Sequence, residues 1–137
     1  MSVTEVHFDT VSEARAHFSA IIDAAEAGVP ATVRRDRRRS AVVDAERLRH
    51  FLVTVRPARA EVVAEGDGWS ILLPGLPLAV DGESFEEALD EMVAALREYA
   101  EDWADHLRHA SNHEQNWSLV QIIDLSSDEQ LRDWLQQ

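Results

Sequence analysis

Cysteine is absent from this 137-residue chain, which excludes disulfides, thiolate metal sites and cysteine nucleophiles together. Lysine is absent as well: all thirteen cationic residues are arginine, as consistent with coding bias as with selection for guanidinium geometry. No run approaches the roughly 18 apolar residues that a membrane span needs. Met1 to Thr10 also lacks the basic and apolar regions of a signal peptide, so the expectation is a cytoplasmic protein. Glycine-rich phosphate loops, nucleophile elbows and kinase-like sets are missing, and chance alone supplies many Asp and Glu pairs at this acidity. No catalytic residue, no metal and no cofactor are therefore expected, and an enzyme is not.

What is present is a foldable composition, 45% hydrophobic and 28% charged, in a chain long enough for one ordinary domain or two very small ones. The net charge of −13 conceals a division. Residues 1–60 hold ten arginines against eight acids, a net of +2, whereas residues 61–137 hold three arginines against eighteen acids, a net of −15. Clustered arginine can meet phosphates; a dense acidic surface repels nucleic acid and suits a basic protein.

Along the chain, Val3 to Phe8 alternates as a short strand, and Thr10-Val-Ser-Glu13 is a capping box. Ala14, Phe18, Ile21, Ile22 and Ala25 then recur at helical spacing until Gly28 and Pro30 stop the helix. Ala31 to Arg35 and Ser40 to Asp44 form a predicted hairpin with its tip at Asp36-Arg37-Arg38. Asp44 caps a second helix through Phe51, with Leu48, Phe51 and Leu52 on its apolar side, completing a β-α-β-β-α order. Val55 to Arg59 breaks the pattern around Pro57. Beyond it, Glu61 to Glu65 and Trp69 to Leu73 flank Gly66-Asp-Gly68 as a second hairpin, and a brief strand is possible at Leu78 to Val80. Ser84-Phe-Glu-Glu87 caps a long helix from Phe85 to about Arg108, with Leu89, Met92, Val93, Leu96, Tyr99, Trp103 and Leu107 as its apolar stripe. Trp117 to Leu125 is read as extended or strand-like, and Ser126-Ser-Asp-Glu129 starts a last helix.

Arg34, Arg35, Arg37, Arg38 and Arg39 place five guanidinium groups at one hairpin tip, where they can grip phosphates or reach a base edge. A merely solvated tip is the competing reading; Arg15 on the first helix adds a sixth cation. Ser12-Glu-Ala-Arg-Ala-His-Phe-Ser19, Ala25-Glu-Ala-Gly28, Ala31-Thr-Val-Arg-Arg35 and Ala41-Val-Val-Asp-Ala-Glu46 together resemble the Phd/YefM antitoxin domain over residues 1–54. The resemblance implies a homodimer that binds operator DNA and represses its own operon, with Arg15 and Arg35 at the DNA. The hairpin departs from that family, because Arg35-Asp-Arg-Arg-Arg39 contains no glycine.

Glu61 to Ile71, Pro74-Gly-Leu-Pro77 and Asp81-Gly-Glu-Ser-Phe-Glu-Glu-Ala-Leu89 resemble a second antitoxin module, the HicB-like fold, over roughly residues 60–105. Its place after a Phd-like domain departs from the usual order and implies folding or toxin contact rather than DNA binding. His106, His109 and His113, with Glu114, share a helical spacing that could serve a metal, but polar loops commonly carry histidine. The apolar end, from Trp117 through Leu131, Trp134 and Leu135, either folds back over the HicB-like sheet or wraps a partner.

The expected fold class is thus α+β: residues 1–54 as a DNA-binding and dimerisation domain, 60–110 as an acidic HicB-like domain, and 111–137 as a strand and helix extension. The expected function is a type II antitoxin and autorepressor. Trp103, Trp117, Leu131, Trp134 and Leu135 are the candidate toxin contacts. A RelE-like endoribonuclease leads the expected partners, with PIN-domain and HicA-like toxins behind it. The alternative is a free-standing transcriptional regulator whose C-terminal part senses a ligand or only oligomerises.

Overall fold

Two small three-stranded sheets and six helices make up the computed structural model, which describes residues 6–137. The predicted strand positions Val3, Thr4 and Glu5 lie outside the described residues. The chain divides into two units, Met1–Leu48 and Arg49–Gln137.

In the first unit β1 (Val6–Phe8) lies parallel to β2 (Ala31–Arg35), which pairs antiparallel with β3 (Arg38–Val42). The predicted single helix is two, α1 (Val11–Ala16) and α2 (Phe18–Glu26). Thr10 caps α1 by accepting the Glu13 amide at 3.1 Å, as the capping box predicted. The break at His17 has a local cause. Its amide bonds one residue short, to Ala14, while its ring Nδ1 donates to the Glu13 carbonyl at 3.0 Å, the acceptor its own amide would have taken in a continuous helix. The ring then stacks on Phe8 with centroids 5.3 Å apart. Gly28, at φ 86°, ends α2 in the left-handed conformation that glycine adopts without strain. Arg47 donates to the freed Glu26 carbonyl at 2.9 Å.

The core here is small: Ala14, Ile21 and Ala31 are buried, with Val6, Phe8, Ala24, Val33 and Val42 packed around them. Phe18 does not join it, contrary to its place in the predicted apolar stripe; it is 58% exposed, because the turn at His17 rotates it off the face that Ala14 and Ile21 share.

The helix α3 (Ala45–Val55) starts in the first unit and ends in the second. Asp44 caps it, accepting the Arg47 amide at 2.9 Å. Leu52 and Val53 are buried, whereas Phe51, read as apolar-side, is exposed.

In the second unit β4 (Glu61–Glu65), β5 (Gly68–Leu73) and β6 (Leu78–Gly82) form an antiparallel meander. Ile71 and Leu73 point to one face and are fully covered. The long helix α4 (Phe85–Asp105) lies on that face, buried through Ala88, Leu89, Met92, Val93, Leu96, Tyr99 and Ala100. Ser84 caps it, accepting the Glu87 amide at 3.0 Å. Gly82 shows why the start of this helix is spelled as it is: a Cβ there would stand 2.5 Å from the Ala88 amide nitrogen, so strand and helix approach only because one residue lacks a side chain. Ala88 is itself completely buried.

The expectation of a strand at Trp117–Leu125 is corrected: the segment is a helix, α5, followed by α6 (Asp128–Leu135). Short apolar runs rich in valine and isoleucine fit either state, and burial of Leu119, Val120, Ile122 and Ile123 at helical spacing against α4 decides for the helix. Arg97 of α4 fastens the bend between α5 and α6, donating to the Ile123 carbonyl at 2.6 Å, the Ser126 carbonyl at 2.9 Å and the Asp128 carboxylate at 2.8 Å. Ser127 and Gln130 then close a reciprocal capping box.

Two substitutions test this packing. Gly82→Ala should destabilise by about 1–3 kcal/mol through overpacking, and Leu131→Ala, at a completely buried position, by about 2–5 kcal/mol through the cavity it leaves. Urea denaturation of the full chain measures both; a midpoint that does not move for either would contradict the packing described.

Candidate functional site

The arginine cluster sits where β2 turns into β3. Only Asp36 and Arg37 separate the strands, so the tip is one residue tighter than Asp36-Arg37-Arg38, and β3 starts at Arg38 rather than Ser40. Asp36 takes the left-handed conformation, φ 57°, that a glycine would otherwise supply, and aspartate is among the few other residues that adopt it readily. The signal for this role in the sequence is an Asp at the first turn position between two strands.

The register then sets Arg34 opposite Arg39 and Arg35 opposite Arg38. Like charges directly across a strand pair repel. Compensation within the chain is slight: Arg34 reaches Asp9 only at 4.0 Å, and none of Arg35, Arg37, Arg38 and Arg39 meets a carboxylate among the described residues. All five arginines are exposed. Arg15, in the last turn of α1, is exposed too and has no ion pair among the described residues. The result is a solvent-facing cationic tip held together against its own repulsion, a geometry an anion would relieve.

The second unit presents the opposite sign. Glu86, Asp90, Glu91, Glu98, Glu101, Asp102 and Asp105 are all exposed along α4, and of these Asp90 is tied to Arg132, whose Nε donates to it at 2.9 Å. That hydrogen bond, then the nearby charge, raises the Arg132 pKa above its ordinary value.

The five aromatic and leucine positions expected to contact a toxin divide sharply. Leu131, Trp134 and Leu135 are core residues, and the Trp134 indole donates to the Arg56 carbonyl at 2.9 Å. Trp103 is half-buried and donates to the His113 carbonyl at 2.9 Å. Trp117 alone of the five is exposed, at 49%.

The histidines do not converge. His113 turns inward, its Nδ1 2.8 Å from the Tyr99 hydroxyl, which in turn accepts from Asn116 at 2.9 Å. His106 pairs with neighbouring Asp105. Among the described residues no group of three His, Asp or Glu is placed to hold a metal ion. Arg56 completes the His113 network by donating to Ser118 at 2.8 Å and Asn116 at 3.2 Å, and burial lowers its pKa while Tyr99 opposes that shift. These partners are 60 and 62 residues apart in sequence, and no local signal announces them.

Against known proteins, residues 6–136 match a PHD-like family described as antitoxin of toxin-antitoxin, RelE/RelB, TA system. The chain belongs to this antitoxin family. No curated protein matches it. Among solved structures, the antitoxin part of a candidate toxin/antitoxin system from Syntrophomonas wolfei subsp. wolfei superposes with a TM-score of 0.77 over 93% of this chain and 94% of that one, at 23% identity. That likeness speaks for the fold. An antitoxin implies a cognate toxin, and the family description points to the RelE type. No helix among the described residues of the antitoxin is long and apolar enough to cross a membrane.

If the tip carries repulsion, relieving it should stabilise the antitoxin. Arg38→Thr should add about 0.2–1 kcal/mol to stability at low ionic strength, and the gain should shrink as salt screens the charges. Paired denaturant curves at two salt concentrations check this; a salt-independent change would assign the effect to something other than charge.

Proposed function

We propose that the chain is a type II antitoxin that captures its toxin by direct binding and represses its own operon. The observation that carries the reading is the opposition of surfaces: a cationic hairpin whose arginines face one another without carboxylate partners, and an acidic unit whose exposed charge suits a basic protein. In this reading residues 1–54 form a Phd/YefM-like dimerisation and DNA-binding domain. Arg34, Arg35, Arg37, Arg38 and Arg39 meet phosphates or base edges, and Arg15 contributes from α1.

Dimerisation is supported by the small core of the first unit and by the exposure of Val11, Phe18 and Val43, apolar surface that a second copy would cover. Residues 60–110 act as a HicB-like acidic module, with 111–137 as the extension that completes its packing. A toxin that binds RNA or the ribosome is basic where it meets phosphate, which makes a RelE-like endoribonuclease the partner of choice, ahead of PIN-domain and HicA-like toxins. Trp117 is the exposed aromatic offered to anchor it, with Trp103 beside the same loop; Leu131, Trp134 and Leu135, being buried, would serve only by keeping the extension folded.

Two measurements test the two halves. With DNA from upstream of its own gene, Arg15→Ala combined with Arg35→Ala should abolish binding, and single variants should flatten the log–log salt dependence by about 0.9 for each phosphate left without its arginine. Unchanged affinity and slope in an anisotropy titration would remove the DNA assignment. With the product of the adjacent reading frame, co-purification and rescue of cells from its toxicity are expected, and Trp117→Ala should weaken capture by about 2 kcal/mol. A neighbour that neither binds nor harms cells would leave the chain without the function proposed.

A further inference from the structure

The strand β4 has a free edge. Among the described residues it pairs only with β5, closing through the two-residue turn Gly66-Asp67 between the facing residues Glu65 and Gly68. In such a hairpin the closing pair is hydrogen-bonded and the pattern alternates, so Glu61, Val63 and Glu65 turn their backbone groups toward β5, while Val62 and Ala64 turn theirs outward. Those outward N–H and C=O groups find no hydrogen-bond partner among the described residues. Every residue of β4 is exposed, with Val62 and Val63 at 42%. An edge of this kind is a ready template for another strand.

The two faces beside that edge differ in chemistry. On the helix-bearing side, Val62 borders an open groove of about 590 Å³ that also involves Trp69, Phe85 and Leu135. Trp69 rests against Phe85 with ring centroids 5.6 Å apart, giving the groove an aromatic wall. On the opposite face Glu61 and Glu65 stand at the two ends of the strand with Val63 between them.

We infer that β4 is the docking edge for an extended segment of the toxin, one with cationic residues opposite Glu61 and Glu65 and apolar residues between them whose side chains enter the groove. Charge selects this occupant over a second copy of the chain. Antiparallel pairing of two β4 strands over their whole length sets Glu61 of each copy against Glu65 of the other, two like-charge pairs that oppose association. A cationic strand converts the same two positions into attractive pairs, and the outward groups of Val62 and Ala64 supply the backbone bonds. The inference rests on the antitoxin reading above and adds the β4 edge to the toxin contact that reading places at Trp117.

The test uses the full chain and the product of the adjacent reading frame. Ala64→Pro deletes one outward N–H, and proline is tolerated on an edge strand at such a position. Glu61→Lys combined with Glu65→Lys reverses the charge on the exposed face without touching the core. Both variants should keep the parent melting temperature and show at least tenfold weaker affinity for the neighbour product, and amide exchange at Val62 and Ala64 should slow in the parent complex. Unchanged affinity in the charge-reversed variant, or unprotected Val62 and Ala64 amides in a complex that does form, overturns the edge assignment while leaving the antitoxin reading intact. Failure of the parent chain to bind the neighbour at all removes both.

Discussion

The closeness of α4 to β6 is the constraint on which the second unit depends. With Gly82 beneath the Ala88 amide, the first turn of α4 lies against the sheet, and the helix then runs its whole buried stripe, Leu89 through Ala100, over the face that carries Ile71 and Leu73. The helices α5 and α6 pack against α4, and Arg97 and Arg132 reach from α4 to α6 and back to hold them. A side chain at position 82 would lift the helix and loosen this packing throughout, because close-packed interiors transmit displacement rather than absorb it. The glycine and alanine of the Asp81-Gly-Glu-Ser-Phe-Glu-Glu-Ala-Leu89 segment are thus two halves of one contact.

The first unit balances its energies differently. Among the described residues its buried apolar side chains are few and mostly small, Ala14, Ala25 and Ala31 beside Ile21, so apolar burial contributes little. Against that modest total stand two facing arginine pairs. Repulsion of this kind is found where a surface is shaped for something other than stability. An anion would neutralise it, and a second copy of the unit would enlarge the core. The same residues that weaken the isolated unit are the ones suited to phosphate.

Charge and burial are also separated along α4. Its carboxylates are solvated, so they add little to folding and remain free to shape the field around the chain. The tail illustrates the reverse. Leu131, Trp134 and Leu135, so apolar that they suggested an interface, are instead consumed by the fold, and the indole of Trp134 finds its acceptor in the Arg56 carbonyl. An apolar terminus can mean a partner or a core, and the composition of the segment is the same in both cases.

The amino-acid sequence by itself determined what depends on near neighbours: the capping residues Thr10, Asp44 and Ser84, the stop at Gly28, both hairpins, the long helix and the segregation of charge. Each follows from hydrogen bonds or periodicity within a few residues. Tertiary structure decided the rest. Whether Trp117–Leu125 coiled or extended was settled by the face of α4 it meets. Likewise, Leu131 and Trp134 became core and Trp117 surface only through packing with residues far along the chain. Apolar side chains carry no address: burial rewards whichever surface lies within reach, and that surface exists only once the chain has folded.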